Sequence, residues 1–312
     1  MRKRKLSAVV ACYKDELAIP IMYLRLKKVF KKIGVDFEII FVNDGSPDNS
    51  EEIIRKIVKK DSHVIGINHS RNFSSQMAFT SGLDTASGEA AVLLDGDLQD
   101  PPELIEKFYK KWREGYDVVY GIRVKREAPI FMQAAYILFY KIFHKMSYIK
   151  IPLNAGDFSL IDRKVIEVIK EFPERDRFLR GLRAWVGFSQ TGVNYIRPER
   201  MFGKTTNNLL KNFQWATKGI FSFSYVPLQL MTLLSLFVFI LSVLAIFYQL
   251  ATRIFFPSVT PKGITTILIV ILFLGSIQLL GISVLGEYIA KIFEEVKQRP
   301  KYVVKSIIRH KK

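Results

Sequence analysis

The 312-residue sequence holds one cysteine, Cys12, and four histidines, His63, His69, His144 and His310. A single thiol cannot close an intramolecular disulfide, and no Cys/His cluster has zinc spacing, so any bound metal has to be held by carboxylates. Neither the Gly-x-Gly-x-x-Gly fingerprint nor the P-loop pattern occurs, which disfavours a Rossmann dehydrogenase or a P-loop kinase. Acidic residues are scarce as well: 29 Asp+Glu face 47 Lys+Arg, a formal charge of +18. Yet 49% of the residues are hydrophobic, too many for a disordered basic tail, and 24% are charged, too many for a fully embedded membrane protein. What is left is a mixed molecule, long enough for one large or two small domains with proper cores. Its positive excess suggests anionic partners: nucleic acid, phosphorylated small molecules or an anionic membrane face. The first apolar stretch, 6–13, is short and meets Lys14 and Asp15, so it reads as a buried strand with the N-terminus expected in the cytoplasm.

Long uncharged runs are present twice, at 226–250 and 264–285. Each exceeds the ~20 residues that cross a bilayer core as a helix, and two buried core helices of this length are the poorer alternative. Between them only Arg253 and Lys262 are charged, whereas Lys291, Lys297, Arg299, Lys301, Lys305, Arg309, Lys311 and Lys312 follow the second run. The positive-inside rule then places both ends in the cytoplasm of a multi-pass plasma-membrane protein. The expected organisation is a cytoplasmic catalytic domain at 1–205, an interfacial amphipathic helix at 206–225 with Trp215 at headgroup depth, spans at 226–250 and 264–285, an external loop at 251–263 and a basic cytoplasmic tail at 286–312. A second amphipathic candidate covers 131–146. Residues 1–174 carry a net charge of +4, whereas 175–225 and 226–312 carry +7 each. The excess therefore clusters near the membrane, pointing to lipid headgroups and away from nucleic acid. Small residues Gly275, Ser276, Gly281 and Ser283 in the second run allow packing against other subunits, and a homo-oligomer, a tetramer as first guess, is expected.

Residues 6–121 alternate short apolar runs with longer mixed ones. Strands are expected at 6–12, 37–42, 64–68, 90–94 and 117–120, and helices at 16–33, 49–60, 75–86 and 102–114. This alternation predicts an α/β fold, a mostly parallel sheet with helices on both faces and ligands at the C-terminal strand ends. The informative residues fall there: Tyr13-Lys14-Asp15-Glu16 after the first strand, Asn43-Asp44-Gly45-Ser46 after the second, and Asp95-Gly96-Asp97 after the fourth. Two carboxylates separated by one small residue at the end of a buried strand can hold a hard cation while diphosphate and water complete the octahedron. Such a cation would neutralise charge on a departing nucleoside diphosphate.

Cys12-Tyr13-Lys14-Asp15-Glu16, Asn43-Asp44-Gly45-Ser46, Ser70-Arg71-Asn72-Phe73, the run from Asp95 to Glu103, Asn154-Ala155-Gly156-Asp157-Phe158 and Arg177-Phe178-Leu179-Arg180-Gly181 occur in that order. With two C-terminal spans they resemble a polyisoprenyl-phosphate glycosyltransferase of the GT-A, family 2 type, which includes bactoprenol glucosyltransferases and dolichyl-phosphate mannose synthases. The resemblance covers nearly the whole chain. It implies a GT-A catalytic domain that transfers one sugar, with inversion, from a nucleotide sugar to a membrane polyprenyl phosphate, using Mg²⁺ or Mn²⁺. UDP-glucose and undecaprenyl phosphate are the first expectations; GDP-mannose or a UDP-aminosugar is the alternative donor. Carried over by position, the resemblance implies donor contacts at Ala11, Tyr13, Asp15, Asp44, Arg71, Asp95 and Gln99, metal ligation by Asp97 with Asp95, and an acceptor-side role for Asp157. The chain departs from the family pattern at Ala11 and Lys14, where Pro and Asn are usual, at Asp15, where Glu is common, and at Gly203-Lys204-Thr205, where Gly-x-Ser-Lys-Tyr is frequent.

The acceptor phosphate, with a second pKa near ~6, is mostly ionised at neutral pH, so an obligatory general base is less needed than for a hydroxyl acceptor. Asp157 can instead orient the sugar or acceptor. Arg123, Arg126, Arg197, Arg200 and Lys204 are the candidate cations for the acceptor phosphate. A processive polysaccharide synthase is the weaker reading, because Arg183-Ala184-Trp185 only approximates Gln-x-x-Arg-Trp. A sugar-nucleotide-binding scaffold without catalysis is weaker still, because both Asp95 and Asp97 are present.

Overall fold

The structure, a computed structural model, describes residues 4–124, 155–198, 201–202, 224, 226–255 and 263–310. Strands β1 (Lys5–Cys12), β2 (Asp36–Asn43), β3 (Val64–His69), β4 (Ala90–Asp95) and β5 (Val118–Arg123) alternate with helices α1 (Ala18–Ile33), α2 (Ser50–Lys60), α3 (Ser75–Thr85) and α4 (Ile105–Arg113). Every strand and helix expected between 6 and 121 is found, with ends displaced by at most three residues. A 3₁₀ turn, Pro102–Leu104, opens the last helix, as suits a proline that has no N–H to donate.

Strand β1 is an almost unbroken apolar run because both its faces are covered. Leu6, Ala8, Val10 and Cys12 pack with Ile19, Met22 and Leu26 of α1, Ile54 of α2 and Phe108 of α4. Val9 and Ala11 face Phe79 and Leu83 of α3 on the other side. That second layer also receives α5 (Arg163–Glu171) and α6 (Leu179–Trp185) through Val165, Ile166 and Leu182.

The eight-stranded sheet runs β7-β5-β6-β4-β1-β2-β3-β8, with β6 (Ala155–Asp162), β7 (Gln190–Tyr195) and β8 (Val304–Ile308) added to the five expected strands. Four neighbour pairs are parallel, while β6 lies antiparallel between β4 and β5, and β8 lies antiparallel to β3. The inserted β6 matters most for function. Its ladder with β4 ends at Leu93 opposite Ser159, and Asp95 and Asp157 each lie two residues beyond that pair, near one another.

Helices α7 (Val226–Phe255) and α8 (Ile264–Val296) contain the two uncharged runs. Within them Val226–Ala245 and Phe273–Val296 are long and apolar enough to cross a membrane. Their large side chains, among them Leu233, Phe239, Phe247 and Leu279, point outward uncovered by protein among the described residues, which associates this part of the chain with a membrane. The segment 286–312, expected as a basic tail, is different. Helix α8 continues eleven residues past Leu285, and the chain then returns to the sheet as β8, covering the edge of β3. Lys291 pairs with Asp176, Arg175 lies 3.7 Å from Glu295, and the Asn68 amide donates to Ser306 Oγ at 3.0 Å. The high charge of the segment hides a five-residue strand in which half-buried Val304, Ser306 and Ile308 alternate with exposed Lys305 and Ile307. Both amphipathic helix candidates, 131–146 and 206–225 apart from Ser224, lie outside the described residues.

Candidate active site

Parallel pairing of β4, β1 and β2 brings their C-terminal ends to one edge of the sheet. The loops that follow are tied to each other. The Lys14 N–H donates to Ser46 Oγ at 2.8 Å, the Ser46 hydroxyl donates to Asp48 Oδ1 at 2.6 Å, and the Glu16 N–H donates to Asp48 Oδ2 at 3.1 Å. Burial pushes the Asp48 carboxyl up, but the hydrogen bonds from Ser46 and Ser50 outweigh it and hold Asp48 below the usual carboxylate range. Asp15 accepts the Tyr13 N–H at 2.9 Å, and Tyr13 is exposed beside the Lys14 ammonium. An open cleft here is lined by Lys14, Asp15, Glu16, Pro47, Asp48 and Phe202.

The residue between the two aspartates has to be glycine. The Gly96 N–H donates to the Ala11 carbonyl at 2.8 Å, and a Cβ at Gly96 would stand 2.8 Å from Asp15 Oδ2 and 2.9 Å from the Ala11 oxygen. Close backbone approach therefore joins Ala11, Asp15 and the Asp95-Gly96-Asp97 turn into one surface.

Three carboxylates gather on that turn. Asp97 is buried and accepts the Gln99 N–H at 3.1 Å; Asp100 is buried and accepts the Tyr195 hydroxyl at 2.6 Å. The Arg197 guanidinium stands 3.9 Å from Asp95, Asp97 and Asp100 alike. Arg123, paired in register with Tyr195, donates through Nε to the Tyr195 oxygen at 3.2 Å. Although 37% of the Asp95 side chain is open to solvent, desolvation and then the nearby carboxylates Asp100, Asp97 and Asp157 raise its carboxyl above the usual carboxylate range. The cluster is thus short of positive charge. Among the described residues no group of three or more Asp, Glu, His or Cys is arranged to hold a metal unaided. Gln99 sends its side-chain amide to the Pro198 carbonyl at 3.3 Å.

Asp157, near Asp95 on β6, is held by two side chains through three hydrogen bonds. Arg180 Nη2 donates to Oδ2 at 3.1 Å and Arg180 Nε to Oδ1 at 3.4 Å, while Gln76 Nε2 donates to Oδ2 at 3.1 Å. Gln76 is itself held, since its Oε1 accepts the Leu179 N–H at 2.8 Å. Burial raises the Asp157 carboxyl, but Arg180 first, then Arg183 and Arg123, bring it below its ordinary value. Buried Arg183 lies over the Tyr120 ring, its own ionisation lowered to about 10 by burial, with Nε lacking a hydrogen-bond partner. Arg123 reaches the same place from β5, because a Cβ on Gly156 would meet its Nη2 at 2.8 Å.

Asp44 is fully buried. Its Oδ1 accepts from His69 Nδ1 at 2.7 Å and from the Phe73 N–H at 2.9 Å, and its Oδ2 is buried without a partner. Gly45, at φ +62°, lies so close to the Arg71–Asn72 backbone that a Cβ would meet Arg71 C at 2.4 Å. Arg71 caps the Phe73 ring at 4.1 Å and remains exposed. The structure therefore brings Ala11, Asp15, Asp95, Asp97, Gln99, Asp157, Arg123 and Arg197 to one end of the sheet, with Asp44 and Arg71 on the adjoining loop. Arg126, Arg200 and Lys204 lie outside the described residues. Arg180, Gln76, Asp100, Tyr195 and His69 received no role from the sequence. Arg180 sits inside a quoted motif, but a lone arginine reads by default as a solvated charge.

Residues 7–170 match the model of glycosyl transferase family 2. An uncharacterized glycosyltransferase of Synechocystis sp. is 41% identical over 304 residues, covering 97% of this chain and 95% of that protein. The bactoprenol glucosyl transferase of Shigella phage SfII is 40% identical over 302 residues, covering 96% and 97%. Among solved structures, glucosyl-3-phosphoglycerate synthase from Mycobacterium tuberculosis is similar at 16% identity and a TM-score of 0.44, over 70% of this chain and 77% of that one. With the family model matched over more than half its length and relatives near 40% identity along almost all of it, the chain belongs to glycosyl transferase family 2 and is a glycosyltransferase.

Proposed function

We propose that the protein transfers a single glucose from UDP-glucose to undecaprenyl phosphate at the cytoplasmic face of the plasma membrane, inverting the anomeric carbon. The observation that carries this reading is the 40% identity to a bactoprenol glucosyl transferase along 96% of the chain, a stretch long enough to include the carboxylate cluster and both apolar helices. Asp95 and Asp97 fit Mg²⁺ or Mn²⁺, because carboxylate oxygens suit hard cations and three carboxylates here share one guanidinium at 3.9 Å. Such a cation, when bound, neutralises charge on the leaving nucleoside diphosphate.

An oxygen of the acceptor phosphate forms the new bond to the anomeric carbon while the bond to UDP breaks, and the electron pair leaves with UDP. No proton has to move, since the acceptor is already anionic at neutral pH, its second pKa being about 6. Asp157 suits this chemistry as an orienting and electrostatic group. Held below its ordinary value and bonded to Arg180, it is a poor proton acceptor. Arg123 and Arg197 supply cations beside it for the acceptor phosphate, with Arg126, Arg200 and Lys204 as further candidates. Ala11, Tyr13, Asp15, Asp44, Arg71 and Gln99 form the donor side of the same reading.

The catalytic domain and both termini are assigned to the cytoplasm, and the subunits to a homo-oligomer, with a tetramer as first expectation. Gly281 faces Met231 of α7 within the chain, whereas Gly275 has open space around it among the described residues and is free for subunit packing. The decisive experiment incubates purified protein, Mg²⁺ or Mn²⁺ and undecaprenyl phosphate with a panel of radiolabelled nucleotide sugars, followed by lipid extraction. Label from UDP-glucose in the organic phase is expected. Label from GDP-mannose or a UDP-aminosugar alone would replace the donor, polymeric product would refute single transfer, and no labelled lipid from any donor would refute the acceptor.

A further inference from the structure

His69 closes β3 and takes no part in the chemistry above, yet its ring is wholly buried against a carboxylate that does. Nδ1 lies 2.7 Å from Asp44 Oδ1 and Nε2 lies 2.8 Å from Ser81 Oγ. Since a carboxylate only accepts, Nδ1 is the donor in the first contact. One face of the imidazole stacks on Tyr302, with centroids 5.3 Å apart and planes 15° from parallel, and the Phe73 ring meets it edge-on at 5.7 Å. Tyr302 comes from the far end of the chain, between α8 and β8. It is pinned there from both sides: its hydroxyl donates to Asp84 at 2.7 Å, Lys301 Nζ donates to the Phe172 carbonyl at 2.6 Å, and the Val303 carbonyl accepts the Ser70 N–H at 2.9 Å.

Two hydrogen bonds to one oxygen do not by themselves orient a carboxylate about its terminal torsion, which is broad. A ring clamped between Tyr302 and Phe73 does orient its donor, and through it the plane of Asp44. The outcome of that orientation is an oxygen, Oδ2, buried without any hydrogen-bond partner, which is costly unless something arrives to donate to it. We propose that Tyr302 is a positioning residue of the sugar-nucleotide site: the C-terminal segment leaving α8 stacks this ring on His69, and His69 sets Asp44 with Oδ2 reserved for an N–H or O–H of the nucleoside. The proposal rests on Asp44 being a donor contact. It also makes the donor site depend on the apolar helices, because the chain that carries Tyr302 is tied to the catalytic domain by Lys291–Asp176 and Arg175–Glu295 just before it.

The test uses the purified full-length protein in lipid nanodiscs, with steady-state kinetics for UDP-glucose and undecaprenyl phosphate on Tyr302→Leu, Tyr302→Phe, Asp44→Asn and the Tyr302→Leu/Asp44→Asn double variant. An aromatic stack of this kind predicts about a two- to tenfold rise in the donor KM for Tyr302→Leu, with kcat and the lipid KM near wild type. Tyr302→Phe, which keeps the ring, is expected to restore the donor KM. In the double variant the Tyr302→Leu effect should vanish, because it acts through Asp44. An unchanged donor KM for Tyr302→Leu, or full additivity in the double variant, overturns the proposal. An unchanged donor KM for Asp44→Asn overturns instead the reading of Asp44 on which it rests. If Tyr302→Leu does not fold, Tyr302→His, with a smaller stacking ring, decides between the same outcomes.

Discussion

Replacing Arg180 with Gln isolates what holds Asp157. The guanidinium makes two contacts with the carboxylate, at 3.1 and 3.4 Å, and both side chains are mostly buried, at 24% and 14% exposure. At an effective dielectric constant near 20 the bare attraction at that distance is about 5 kcal/mol, an upper bound. Desolvation and the remaining solvent access reduce it to the range of charge-assisted hydrogen bonds, about 2 kcal/mol. If Asp157 acts by its charge and orientation, losing that amount slows transfer about 30-fold. The pH dependence separates this from a base role. In the wild type Asp157 lies below its ordinary value, so it is ionised across the working range and should contribute no acid limb of its own to kcat, beside the one the acceptor phosphate gives near pH ~6. Without Arg180 the burial that opposes ionisation is less compensated, and a limb belonging to Asp157 moves to higher pH. Stability follows the same sign. A carboxylate depressed in the folded state stabilises above its unfolded value and loses that contribution as pH falls through its folded value, so the melting-temperature deficit of Arg180→Gln should be present at pH 7 and fade in acid. Stopped-time transfer assays from pH 5 to 9, with thermal melts on the same preparations, measure both. A wild-type rate and profile in Arg180→Gln would refute the electrostatic role, and a wild-type acid limb traced to Asp157 by its loss in Asp157→Asn would restore the base.

Three further outcomes are expected. Asp97→Asn should abolish metal-dependent transfer while leaving the circular dichroism spectrum and membrane extraction behaviour unchanged; undiminished turnover at saturating Mg²⁺ would remove Asp97 from the metal site. Gly96→Ala places a methyl 2.8 Å from Asp15 Oδ2 and 2.9 Å from the Ala11 carbonyl, so it should lower the melting temperature and raise the donor KM together, and a change in neither would show that the turn relaxes freely. Lys14 adopts φ 61°, which costs a residue with an ordinary side chain about 1 kcal/mol and Asn less, so Lys14→Asn should raise the melting temperature by a few degrees.

Legibility of the site divides along the sheet. The edge made by β1, β2 and β4 could be read in advance, because buried parallel strands are written as continuous apolar runs and the polar residues that end them stand out. Asp15, Asp44, Asp95 and Asp97 were all marked by that contrast. The half built on β6 could not be read from its own pattern. Ala155–Asp162 is broken by Gly156, Asp157 and Ser159, and nothing local says that it runs antiparallel between β4 and β5. That reversal alone sets Asp157 beside Asp95, 62 positions away, and draws Arg180 and Gln76 to it from two different helices. Asp100 and Tyr195 meet for the same reason, through the parallel pairing of β7 with β5. The C-terminal strand was hidden by its charge: Lys301, Lys305 and Arg309 suggested a solvated tail, but Lys301 donates to a backbone carbonyl and Lys305 lies 3.2 Å from Glu51. Part of the +18 excess therefore serves neither lipid nor ligand. It fastens the segment that follows α8 to the sheet and its helices, where β8 covers the edge of β3.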